Sequence, residues 1–126
     1  MPKQVPDVPS GVKPLGPYST VTEAAGLVFV SGQIAIDPAT GDRIDGDVRA
    51  QTTQIMKNLG GILGDLGLGY GDVAKTTIFL TDMADFPVVN EVYGGYFADA
   101  PPARSTVEVG ALPGGFLVEI EVIAAR

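Results

Sequence analysis

Residues 104–125 read RSTVEVGALPGGFLVEIEVIAA. Apolar and polar side chains alternate through RSTVEVGA (104–111) and again through FLVEIEVIAA (116–125), the period of a strand with one face in a core. In the second run Val118, Ile120 and Val122 share one face, and Glu119 and Glu121 share the other. Leu112-Pro113-Gly114-Gly115 between the runs is a turn signal, so the stretch predicts a terminal β-hairpin. It also places Arg104, one of eight basic residues in the chain, at the entrance of the first strand.

Working back from the hairpin, APPA (100–103) breaks a predicted helix that opens at Asp85, with Pro87 in its first turn and Phe86, Val89, Tyr93, Tyr96 and Phe97 as its apolar stripe. AKTTIFLTD (74–82) has the Thr, Ile and Phe content of a buried strand. Val48, Thr52, Ile55, Leu59, Ile62 and Leu66 recur at steps of four and three, a helix capped by Asp47 and stopped at Gly67. Gly60, Gly61 and Gly64 each cost about 1 kcal/mol in a helix interior relative to Ala, and suggest close packing or a weak second half. IDPATGDRIDGD (36–47) is mostly loop, with a short strand near Ile44. STVTEA (19–24) and LVFVSGQI (27–34) read as strands paired across Ala25-Gly26. The order is ββαβαββ, an α+β sandwich. Two helices cover one sheet face only, and a partner subunit is the expected cover for the other.

The chain of 126 residues, 45% apolar and 18% charged, fits one domain with a core, preceded over residues 1–15 by a Pro-rich segment. Fifteen acidic residues against eight basic ones give a net charge of -7, which disfavours nucleic-acid and anionic-membrane surfaces. No cysteine and no histidine are present. Thiolate nucleophiles, Ser-His-Asp triads and imidazole bases or metal sites are therefore excluded. No acidic loop has calcium spacing, so no metal is expected. No apolar run approaches the roughly 20 residues of a membrane helix. MPKQVPDVPSGVKPLGP lacks the core of a signal peptide, and the expected location is the cytoplasm.

Arg104 admits two readings. It forms a cross-strand ion pair with Glu119 or Glu121 of the neighbouring strand, or it is a fixed fork aimed at the carboxylate of a small substrate. Glu119 and Glu121 are the wet side of a strand, or one of them is shielded in a subunit crevice where it can activate water. Tyr18 in GPYS packs at the core edge or contacts a ligand. Asn90 borders the stripe of the second helix. Ser31-Gly32, inside a strand, marks a bulge or a place where a ligand meets backbone.

Taken in order, GPYS, VFVSGQI, AQT, VAKTTIFLTDMADFPVVNEVYGGYF, PPARS and VEIEVIA resemble the RidA/YjgF family of imine and enamine deaminases, from about Gly16 to Ala125. The resemblance implies a chorismate-mutase-like, ferredoxin-like sheet with two helices on one face, in a homotrimer with a central β-barrel and ligand sites between subunits. It implies that Arg104 binds a carboxylate and Glu119 activates water, with Tyr18, Ser31, Gly32 and Asn90 contacting substrate. The position two after the arginine is often Cys in relatives; here it is Thr106, which can hydrogen-bond but cannot act as a nucleophile. GPYSTV replaces the common GPYSQA, a change at the pocket approach. The implied reaction is hydrolysis of short 2-imino or 2-enamino acids to 2-oxo acids and ammonia, with no cofactor. The start of the chain is also similar to the aminoacrylate deaminases of pyrimidine breakdown. A non-catalytic 2-oxo acid sensor is the alternative of another class. Against the ribonuclease label also attached to the family stand the missing histidine and the acidic charge.

Overall fold

The computed structural model describes residues 2–126; Met1, the first residue of the Pro-rich segment, lies outside them. Strands β1 (Val21–Ala24) and β2 (Leu27–Gln33) are followed by helix α1 (Val48–Asp65), strand β3 (Val73–Leu80), helix α2 (Phe86–Gly94) and strands β4 (Ala103–Glu108) and β5 (Val118–Ala125). The order ββαβαββ is the one predicted. The five strands form one mixed sheet in the spatial order β1-β2-β5-β3-β4.

That order corrects the terminal hairpin. β4 pairs in parallel with β3, Thr76 opposite Arg104 and Ile78 opposite Thr106. β5 lies between β2 and β3, antiparallel to both. Two strands joined by a two-residue turn must be neighbours, but residues 109–117 are long enough to step over β3, about 10 Å across two strand spacings. Leu-Pro-Gly-Gly turns within that link, with Gly114 at φ 73° and Gly115 at φ 72°, a region open to glycine. Phe116, 2% exposed, anchors its end under the Arg43 guanidinium, 4.1 Å above the ring. A neighbouring-strand ion pair between Arg104 and Glu119 or Glu121 is thereby ruled out, because β3 stands between their strands.

α1 and α2 pack together on one face of the sheet. Val28, Val30, Ile78, Leu80, Val118, Ile120, Val122 and Ala124 point into that core, none more than 3% exposed. Asp47 caps α1 by accepting from the Ala50 N–H, as its type predicts. Two of the helix glycines have a packing reason. A Cβ on Gly60 would strike the Tyr70 hydroxyl, which donates to the Met56 carbonyl at 2.6 Å, and one on Gly61 would crowd Ser10. Gly64 meets nothing. Asp85 precedes α2 without a capping bond; Asp82 supplies one a turn earlier, to the Ala84 N–H. The predicted short strand near Ile44 reduces to a single bridge between Ile36 and Arg43. The N-terminal segment is tied down by the Gln4–Glu23 bridge and by Ser10, which donates from its N–H and its hydroxyl to Asp65.

The other face of the sheet carries no helix. Pairing places Thr22, Phe29, Ile123, Glu121, Thr77, Glu119, Phe79 and Val107 on it. Phe29 at 38% and Val107 at 42% exposed are apolar groups left in water by a single chain.

Candidate active site

Alternation sends Arg104 and Thr106 of edge strand β4 to the helix side, level with buried Thr76 and Ile78. Phe86, Asn90 and Tyr93 of α2, at steps of four and three, line one stripe above them. The Arg104 guanidinium carbon lies 5.1 Å from the centre of the Tyr93 ring and 5.4 Å from that of Phe86. Tyr93, 5% exposed, shares a 2.7 Å hydrogen bond with the buried hydroxyl of Thr76, the residue opposite Arg104. Burial pushes the Tyr93 phenol up, against the opposing pull of the Thr76 hydrogen bond and the Arg104 charge, so it stays protonated at neutral pH.

Among the described residues, Arg43, Arg49 and Arg126 each hold a carboxylate, whereas Arg104 holds none. Beside it, the Asn90 Oδ1 and Thr106 Oγ1 atoms are buried without hydrogen-bond partners. Leaving such a group unpaired costs about 1–3 kcal/mol, a cost that a polar ligand can remove. A forked cation near two unmet polar atoms is an arrangement that can receive a small anion.

A second group of candidate residues lies on the open face. Glu119 of β5 stands opposite Phe79, and burial, followed by repulsion from Glu121, raises its pKa above the usual carboxylate range. Its carboxylate lies against the backbone of Gly32, where a Cβ would come within 2.7 Å of the Glu119 Cδ. The ladder between β2 and β5 is irregular from Val30 to Gln33, so Ser31-Gly32 is a bulge, and the missing side chain leaves room for the acid. The Ser31 hydroxyl donates to the Ser19 carbonyl at 2.7 Å. Tyr18 is 54% exposed, accepts from the Leu15 N–H at 3.3 Å, and borders an open cleft of about 350 Å³ with Ser31, Phe29 and Glu121.

The residues singled out in the sequence thus fall into two groups: Arg104, Thr106 and Asn90 on one side, and Glu119, Gly32, Ser31 and Tyr18 on the other. They do not meet within one chain, being on opposite sheet faces with β3 between their strands. A cavity of about 710 Å³ under the Pro-rich segment and residues 36–41 includes none of them. Phe86, Tyr93 and Thr76 went unmarked in the sequence as site residues, since an aromatic helix stripe and a strand Thr read as core. Among the described residues no cluster of acids could hold a metal ion, and no helix is long and apolar enough to cross a membrane.

The chain belongs to a known class: residues 9–126 match the family model described as Endoribonuclease L-PSP, and the chain is a member of that family, which takes in the Rid proteins. It is 53% identical to the protein DfrA of Myxococcus xanthus over 89% of this chain and 87% of that one. It is 44% identical to the 2-iminobutanoate/2-iminopropanoate deaminase of Mus musculus over 89% and 83%. The crystal structure of E. coli TdcF with bound serine superposes with a TM-score of 0.91 at 36% identity, covering 98% of both chains.

Proposed function

We propose that the protein hydrolyses short 2-imino and 2-enamino acids, of the 2-aminoacrylate type, to 2-oxo acids and ammonia. The observation that carries this is Arg104, a fork with no internal acid beside two buried, unpartnered oxygens. A mammalian relative named for this chemistry and a neighbour holding an amino acid support the same substrate class.

The working unit in this reading is a homotrimer. A second copy covers the open face, buries Phe29 and Val107, and brings the Glu119 group of one subunit against the Arg104 group of the next. Arg104 grips the substrate carboxylate with two parallel hydrogen bonds, and Asn90 and Thr106 complete its polar surroundings. Tyr18 and the Ser31-Gly32 backbone border the reacting end. Glu119 takes a proton from water as the oxygen attacks the carbon of the N-protonated imine, giving a neutral carbinolamine. It then returns that proton to the nitrogen, the C–N bond breaks, and the hydroxyl proton passes to the departing ammonia, so that the 2-oxo acid and ammonium leave. A carboxylate pushed up by burial is a stronger base than one in water, which suits this step. The chain's residues suffice, and no metal or cofactor enters the reading. Net charge -7 and the absence of histidine favour deamination over RNA cleavage.

The test generates 2-aminoacrylate in the cuvette with a pyridoxal-phosphate serine dehydratase and follows imine decay. Decay accelerated by the wild type and not by a folded Arg104→Ala is expected. A fully active Arg104→Ala sinks the reading. The serine held by the TdcF neighbour, a stable amino acid, favours one second reading, a sensor of small carboxylates. That reading predicts 2-oxobutyrate binding through Arg104 with imine lifetimes unchanged.

A further inference from the structure

Arg104 would ordinarily need a carboxylate to hold its guanidinium still, yet such an acid would compete with the ligand for the same N–H donors. Aromatic faces avoid this conflict. They attract the cation through the flat of the ring and leave the in-plane donors at the edge of the guanidinium free. The two nearest rings are Tyr93 and Phe86, and they differ in how firmly they are held. Tyr93 is buried, packs on Phe97 with ring centres 4.7 Å apart, and is fixed at its hydroxyl by Thr76. Phe86 is half-buried in the first turn of α2. Thr76 in turn sits opposite Arg104 in the β3–β4 pairing, so one strand position anchors both the backbone of the cation and the ring beneath its head.

We propose that Tyr93, locked by Thr76, is a positioning residue that orients the Arg104 fork for the ligand's carboxylate, with Phe86 as the second wall of the same aromatic shelf. The proposal rests on the reading of Arg104 as the carboxylate clamp. It makes Tyr93 act on binding and not on the chemical step, because nothing places its buried hydroxyl at the reacting carbon.

The test titrates 2-oxobutyrate calorimetrically into the wild type, Tyr93→Leu, Tyr93→Phe, Phe86→Leu and Arg104→Ala. It pairs this with turnover of enzymatically generated 2-aminoacrylate and with the ring-current-shifted Nε–H signal of Arg104, assigned by its loss in Arg104→Ala. Tyr93→Leu is expected to weaken binding and raise KM about fivefold, the worth of one cation–π contact. Its kcat should stay within about twofold and its Arg104 signal should move toward that of free arginine. Tyr93→Phe keeps the ring and should rescue binding, KM and signal. Phe86→Leu should show the same pattern, more weakly.

A folded Tyr93→Leu with wild-type affinity and an unmoved Arg104 signal overturns the proposal, as does a Tyr93→Phe as damaged as Tyr93→Leu. If Tyr93→Leu does not fold, Phe86→Leu decides, and unchanged affinity with an unmoved signal overturns it. Wild-type binding by Arg104→Ala removes the clamp and the shelf together. Lost binding in Arg104→Ala beside intact binding in Tyr93→Leu removes the shelf alone.

Discussion

The two faces of the sheet are built from the same alternating strands and have opposite characters. On the helix side β5 contributes Val118, Ile120, Val122 and Ala124, all at most 2% exposed. On the open side the residues between them are Glu119, Glu121 and Ile123, half-buried or exposed, beside Phe29 and Val107 in water. One face is covered by its own chain's helices, and the other is open in the single chain. The difference separates the face that carries the stability of the fold from the face to which we assign the water-activating acid. Polar groups on the helix side are satisfied, as with Thr76 and Tyr93, until the sheet edge, where Asn90 and Thr106 are not.

The sharpest way to break this contrast is to make equally small changes on each face. Glu119→Gln, on the open face, should lower kcat about 100-fold or more, the scale of a lost general base, while 2-oxobutyrate binding is kept. It should not cost stability at pH 7. A carboxyl whose folded pKa is raised contributes stability below its unfolded pKa and loses it as pH rises through the folded value, so the neutral amide removes a neutral-pH penalty. A melting temperature below wild type at pH 7 would contradict that. Ile120→Ala, on the next residue and the other face, should cost about 2–5 kcal/mol in denaturant unfolding, with ligand affinity little changed in the protein that remains folded.

Gly32→Ala sharpens the open-face half. The added methyl has no room beside the Glu119 carboxylate, so turnover should fall about tenfold as the acid is displaced, with far-UV circular dichroism unchanged. Glu121→Gln is gentler. It removes the second cause of the raised Glu119 pKa, so the acid limb of kcat/KM should move to lower pH, because Glu119 then stays ionised further down. An unmoved limb would separate Glu119 from the pH dependence. The smallest effect lies away from both faces. Ala25 holds φ 54° in the turn between β1 and β2, a conformation that Asn tolerates better, and Ala25→Asn should raise stability by about 0.5–1 kcal/mol with activity unchanged.

The alternation and helical periodicity that separate these faces were legible in the sequence, and so was element order. Strand partners were not. VEIEV states which side chains share a face, but period two carries no information about the neighbouring strand, so two adjacent alternating runs read as a hairpin although β5 inserts between β2 and β3. Arg104, Glu119, Gly32, Asn90 and Thr106 could be marked from residue types and resemblance. Their division between two faces could not, because it follows from the parallel β3–β4 pairing. Tyr93 was hidden by its own burial, since a Tyr in an apolar stripe gives no sign of the Arg above it.

The division itself is the central claim, and mixing subunits tests it most directly. Arg104→Ala and Glu119→Gln are co-expressed with different tags, doubly tagged assemblies, trimers in the proposed reading, are purified, and 2-aminoacrylate hydrolysis is measured against each single variant. If a site takes its arginine from one subunit and its glutamate from the next, every mixed trimer regains one intact cleft of three and about a third of wild-type activity, by the arithmetic of cyclic closure. Mixed trimers as inactive as the single variants would show that both residues must lie in the same chain, and would contradict the account.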